Sequence, residues 1–268
     1  MRDLIRRGHH RLTAEARRVV ADLHRDGVAR TSLAALAGDA GLLEDVLSRT
    51  DDLIADQSAD IVRRRRVLAG EPVPRGAPLP DPHEVELLGP HPPVDPEDPY
   101  ARFLRHPQIS GIAAAHCRRD VRIWGMNGLL TLATAPVRDG DWVRSTEGPA
   151  VEVRLHLTGV DDGVGPLSYV RTSHRRRLAV HRLERTGRRI GDDDVTRVFG
   201  PAAATALTGA TGTVVFTDPR GLHRRARPTT RDRLVLHGRF SARGGRERAV
   251  LLPAEEVPRS ALPDFALA

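Results

Sequence analysis

Lysine is absent from this 268-residue chain, and all 42 basic residues are arginine. Arginine and alanine crowd the whole sequence rather than one tract, a pattern of GC-rich bacterial coding. Aromatic residues make up 3%, which leaves few stacking platforms for single strands. The net charge of +7 comes without zinc-finger or helix-turn-helix spacing, so it argues for no nucleic-acid partner. The one cysteine, Cys117, excludes an internal disulfide and a cysteine-based zinc site. It stands in an apolar helical context, where a buried, inert thiol is the expectation. Long apolar runs are missing too: none approaches the roughly 20 residues of a spanning helix. MRDLIRRGHH at the start has no apolar signal region. A cytoplasmic protein without a membrane partner is expected.

What is present divides into a helical part and a strand-rich part of one domain, residues 1–268. Residues 1–68 read as helical. Leu12, Ala16, Val19, Val20 and Leu23 recur at helical spacing before Asp26-Gly27 ends the helix and a short strand follows. A second helical block runs from about Gly41 to Leu68 and closes on Arg63 to Arg66, cations that suit a helix C-terminus. Residues 69–99 are dense in proline and read as an extended surface loop. From 100 to 250, helical spacing over Tyr100 to Cys117 gives way to short strands bounded by Gly, Pro and Asp: VRIWGMNGLLTLATAP, VEVRLHLTGV, LSYVRTSH, TGTVVFTD and RLVLHGRF. Residues 251–268 form a tail. The expected fold is mainly β with a helical N-terminal part, its core a double-stranded β-helix of the jelly-roll or cupin-like type.

Chemistry concentrates in DPRGLHRRARPTTRDRLVLHGRF, Asp218 to Phe240. His223 sits in a turn ten residues ahead of Arg233, which opens a strand. Iron enzymes that use 2-oxoglutarate need such a pair, one imidazole on the metal and one guanidinium clamping the far carboxylate of the cosubstrate. Upstream, GPLSYVRTSHRRR ends a strand on Ser173-His174 after the acidic turn TGVDD. Together these segments resemble the phytanoyl-CoA dioxygenase-like branch of the Fe(II)/2-oxoglutarate oxygenases, over roughly Asp26 to Phe240. The resemblance implies that His223 binds iron, that Arg233 binds 2-oxoglutarate, and that a small organic substrate is oxidised. It makes His174 a structural landmark.

The same resemblance asks for Trp-His-x-Asp ahead of VEVRLHL, and the chain offers DWVRSTEG. Trp142 is in place, but Val143 stands at the histidine position and Ser145 at the carboxylate position. Valine has no lone pair to donate and a serine hydroxyl is a poor neutral ligand, so one imidazole is left. His24-Arg25-Asp26 satisfies His-x-Asp literally, but it closes the first helix and reads as helix termination. By strand alternation Glu152, Arg154 and His156 share one face, and Arg233, Val235 and His237 share another. Glu147 follows Ser145 by two residues. Two readings stay open: a site rebuilt from His223 with His156 or His237 and Glu147, or an iron-free relative. In the second, an arginine- and histidine-lined pocket that includes Arg154 takes a carboxylate or phosphate ligand. Neither Cys117 nor Ser173-His174 shows a third partner for nucleophilic catalysis, and no Gly-rich phosphate loop is present.

Overall fold

A computed structural model describes residues 4–5, 11–38, 40–72, 81–89, 95–135, 140–146, 148–184 and 189–242. The chain order is β1 (Leu4–Ile5), α1 (Ala14–Asp26), β2 (Val28–Ser32), α2 (Leu33–Ala37), α3 (Ala40–Asp56), α4 (Ser58–Leu68), β3 (Glu84–Glu86), α5 (Pro99–Arg105) and α6 (Pro107–Cys117). It continues with β4 (Val121–Thr131), β5 (Ala150–His156), β6 (Leu167–Val170), α7 (Arg177–Glu184), α8 (Asp192–Phe199), β7 (Ala204–Ala206), β8 (Thr213–Thr217), β9 (His223–Arg225) and β10 (Arg233–Ser241). The β-rich core expected from the sequence is present, in two antiparallel sheets. Helices nevertheless take about 39% of the described residues against about 25% for strands, so this part of the chain is helical and β-stranded in comparable measure rather than mainly β.

The larger sheet has the order β1-β4-β10-β5-β8-β2, with β3 also on β4, and the smaller has the order β7-β6-β9. Alternation along the strands decides what each face carries. Val151, Val153 and Leu155 of β5 join Leu236 and Phe240 of β10 in one apolar cluster. Val19 and Leu23 of α1, Leu104 of α5 and Ile109 and Ile112 of α6 belong to the same cluster. The intervening residues Glu152, Arg154 and His156 turn the other way, and all seven residues of β5 are buried. Val215 of β8 meets Leu167 and Tyr169 of β6 between the sheets. A third cluster joins Trp142, Val170 and Leu222 to Val180 and Leu183 of α7 and Val195 of α8.

Local rules account for most element ends. Thr13 caps α1 by accepting from the Ala16 amide, and Gly27 closes it in the left-handed conformation at φ 79°. Asp98 caps α5, with Pro99 at its first turn. The expected block from Gly41 to Leu68 is two helices, since Gln57 breaks the run between α3 and α4. Residues 69–99 are not purely loop: Glu84–Glu86 pairs with Leu129–Thr131 of β4, where an interval without proline leaves the amides free to bond. The tail at 251–268 lies outside the described residues. Among the described residues no helix is long and apolar enough to cross a membrane.

Candidate functional site

His223 opens β9 rather than sitting in a turn. Two neighbours fix it there: Tyr169 of β6 is its register partner, and Val143 faces it across an isolated antiparallel bridge. Each amide of that bridge donates to the other residue's carbonyl at 2.9 Å. His223 Nδ1 donates to the Gly221 carbonyl at 3.0 Å, which leaves Nε2 as the nitrogen with a lone pair. Burial depresses the basicity of His223, so the ring is neutral at pH 7 and able to ligate. Among the described residues, positions 143 and 145 beside it supply no metal ligand. The Val143 side chain is 53% exposed and apolar, and Ser145 Oγ accepts from Arg239 Nη2 at 3.4 Å. Trp142 is buried and donates its indole N–H to Asp192 Oδ1 at 2.9 Å. Glu147 lies outside the described residues.

The interior beside His223 is occupied by an ion pair. Arg154 Nη2 donates to Glu152 Oε2 at 2.7 Å, and His237 Nε2 stands 3.6 Å from the same oxygen. Burial pushes the Glu152 carboxyl up, but Arg154, His237 and His223 outweigh it and hold the group well below the usual carboxylate range. Burial lowers His237, and its Nε2 meets the Glu152 carboxylate electrostatically without a hydrogen bond. A buried pair of this kind is stable only when its remaining valences are met. Thr217 Oγ1 accepts from Arg154 at 3.4 Å.

Arg233 opens β10 and is buried. Its guanidinium donates to the Gly165 carbonyl, to the Ala226 carbonyl at 3.0 Å and to Thr131 Oγ1 at 3.2 Å. None of these acceptors carries charge. Burial and the neighbouring Arg225 bring Arg233 down to about 10, and burial takes His156 down to about 4. The cavity beside them has a volume near 20 Å³ and is lined by Arg154, His156, Arg225, Arg233 and one carboxylate, Glu84, among others. That is room for about one water, so a five-carbon dicarboxylate enters only if side chains move.

Tested against iron, the donor set does not fit. Fe(II) sites of this fold type need two imidazoles and a carboxylate on one side of the metal. Here one imidazole faces a valine and a serine. Glu152, the nearest carboxylate in electrostatic terms, is committed to Arg154. Among the described residues no group of three His, Cys, Asp or Glu could hold a metal ion. Of the residues singled out in the sequence, Glu152, Arg154, His156, Arg233 and His237 do gather between the sheets, but as an arginine-dominated interior.

The sequence reading passed over a second polar cluster, at the other end of the β8–β9 connection. His116 of α6 donates from Nε2 to Asp218 Oδ2 at 2.9 Å, and Arg220 binds the same carboxylate. His24 stacks on His116 with ring centroids 4.9 Å apart, and His174 lies beside them. Both His24 and His174 had been quoted and assigned to helix termination and to a barrel landmark. No local spacing signals a cluster drawn from four distant segments.

No protein-family model matches the chain, and no curated protein matches it by sequence. Solved structures do. EctD from S. alaskensis with bound Fe is similar with a TM-score of 0.57 and 16% identity over 94% of each chain. The non-heme alpha ketoglutarate dependent carbocyclase SnoK of nogalamycin biosynthesis gives 0.54 and 19%, over 85% of this chain and 83% of its own. The epimerase SnoN of the same biosynthesis gives 0.53 and 21% over the same shares. The fold is therefore that of non-heme α-ketoglutarate-dependent enzymes. At these identities the likeness concerns the fold alone.

Proposed function

We propose that this chain descends from Fe(II)/2-oxoglutarate oxygenases, carries no iron, and serves as a binding protein for a small anion. The sheet order supports a double-stranded β-helix as its ancestry: β4, β10, β5 and β8 form one wall, and the Val143 segment, β9, β6 and β7 the other. The observation that carries the reading is the Val143–His223 bridge, which puts an apolar side chain opposite the imidazole that the resemblance assigns to the metal. Electrostatics point the same way. The Arg154 guanidinium, buried beside Glu152, holds the carboxylate that a metal entering there would need. Arg154, Arg225 and Arg233 surround one corner, where Arg233 has only neutral acceptors. Such a lining favours a carboxylate or phosphate.

A second reading, iron-dependent oxidation of a small organic substrate in the phytanoyl-CoA dioxygenase-like manner, draws on His223 with its exposed lone pair and on Arg233. Anaerobic titration of metal-free protein with Fe(II) and 2-oxoglutarate separates the two. The iron-free reading expects no visible charge-transfer absorption from a folded protein. A band that appears with the wild type and vanishes in His223→Ala would overturn it.

A further inference from the structure

Two helices of this chain carry charge at the ends where it is least favourable. Anionic side chains suit a helix N-terminus and cations its C-terminus. Helix α7 (Arg177–Glu184) is preceded by Arg175 and Arg176, begins on Arg177 and has no acid in its first turn. Helix α3 (Ala40–Asp56) shows the converse. Asp51, Asp52 and Asp56 crowd its last two turns, and no cation stands in the last one.

Both sets of charges face outward. Val180 and Leu183 of α7 are buried against Trp142, Val170 and Leu222, and Arg144 holds Glu184 through two hydrogen bonds of 2.7 Å, so the helix has one fixed orientation. Its other side presents Arg177, Leu178, His181 and Arg182, all exposed. Leu178 is 65% exposed and lies between Arg177 and Arg182 by helical rotation. Helix α3 buries Leu42, Val46 and Leu53. On its opposite side Glu44, Asp51, Asp52 and Asp56 are exposed, a stripe about 18 Å long at 1.5 Å per residue. Ser48 and Ala55, small and exposed, lie between these carboxylates by the same rotation and leave room for an apolar side chain such as Leu178.

Pairing separates these residues from other surface charges. Arg18, Arg25, Arg64 and Arg102 each reach a carboxylate of their own copy. Arg175, Arg177 and Arg182 make no side-chain hydrogen bond or ion pair with a described residue, and neither do Glu44, Asp51, Asp52 and Asp56. Within one copy the two sides do not neutralise each other. An arginine side and a carboxylate side, each opposed to its own helix dipole, are relieved together when one lies on the other. A nucleic acid would relieve only α7.

We infer that this chain associates with copies of itself, α7 of one copy docking on α3 of another, with Arg177 and Arg182 against Asp51, Asp52 and Asp56 and Leu178 seated between them. The contact joins two different faces and is independent of any anion in the barrel interior. Exposed ion pairs are individually weak and screened by salt, so the association depends on protein concentration and is strongest at low ionic strength.

Sedimentation velocity of the full chain at about 20 mM and about 500 mM salt is the test. The wild type should associate at the lower salt and dissociate at the higher. Arg177→Glu/Arg182→Glu and Asp51→Arg/Asp52→Arg change exposed positions only, and each pair should weaken association by more than about tenfold. An equimolar mixture of the two double variants should associate again, because each reversed side meets opposite charge on the other variant. A wild type that stays monomeric at low salt and millimolar concentration would overturn the inference. So would association that survives both reversals, or a mixture that stays dissociated while circular dichroism shows both variants folded. Binding of a short DNA duplex by monomeric wild type, lost in Arg177→Glu/Arg182→Glu, would assign the arginine side to a polyanion instead.

Discussion

Val143 and His223 exchange both amide hydrogen bonds of an antiparallel bridge, each at 2.9 Å. Residues opposed in this way point their side chains to the same side, with Cβ atoms about 5 Å apart. A histidine at 143 would therefore stand beside His223, and position 145 follows on the same side by alternation. Val143→His with Ser145→Asp is expected to create or raise Fe(II) affinity. Arg239 donates to Ser145 Oγ and would pair with the new carboxylate. Adding Arg239→Gln should thus tighten the metal by about tenfold, one charge-assisted hydrogen bond. Metal titration of the folded double and triple variants is the measurement. If neither binds Fe(II), Val143 and Ser145 are not the vacated ligand positions.

The Glu152–Arg154 pair makes a prediction about stability. Removing one member of a buried pair strands the other's charge, whereas removing both lets the site become apolar. Arg154→Leu alone should cost about 3–5 kcal/mol. The double variant Glu152→Leu/Arg154→Leu should cost less than that single change, and urea unfolding of the full cycle measures it. Costs that simply add would mean that the two residues do not depend on each other. His237, 3.6 Å from Glu152, loses its neighbouring carboxylate in the double variant and limits the recovery.

How much of this was legible in the sequence depended on whether the signal was local. The α1 helix and its Asp26-Gly27 stop follow from spacing and from the left-handed Gly27, and β5 and β10 showed as alternating runs. Alternation also grouped Glu152 with Arg154 and His156. It could not say that Arg154 would bond Glu152 on its own strand, since that depends on burial from the opposite sheet. The α7 and α8 helices, inserted between β6 and β7, were missed because eight residues carry little periodicity and their apolar sides answer to Trp142 and Leu222, distant in sequence. The Asp218–His116–His24 cluster was invisible for the same reason: its contacts span about a hundred residues or more, and its members looked like ordinary loop and helix-end residues.

Buried histidines set the acid response. His156 is 4% exposed, and burial, with added repulsion from Arg154 and Arg233, lowers it from 6.5 to about 4. Between those values the unfolded chain binds the proton and the folded chain does not. Stability is therefore full above pH 6.5 and declines as the pH falls toward 4. For His156 alone the loss amounts to about 3 kcal/mol across the window. His223 and His237 are shifted in the same direction and steepen the fall. Unfolding free energy measured at pH 7, 5.5 and 4.5 should show the slope, and His156→Gln should reduce it. A slope unchanged by that substitution would mean that His156 is not neutral and buried.

Gly27 and Gly38 separate two costs that are often confounded. Both end helices in the left-handed region, at φ 79° and 64°. An L-residue pays roughly 1–2 kcal/mol there from its own Cβ and carbonyl. At Gly38 nothing else lies within 4 Å of a new Cβ, whereas at Gly27 the His174 ring and the Tyr169 hydroxyl already occupy its place. Overpacking of that kind adds about 1–3 kcal/mol. Gly38→Ala should then cost only the conformational share, and Gly27→Ala about 2–5 kcal/mol in total. The second substitution should also displace the His174 ring. Urea midpoints give the stability difference. Equal destabilisation by the two changes would mean that His174 and Tyr169 yield easily, and that the cluster over Gly27 is not tightly held.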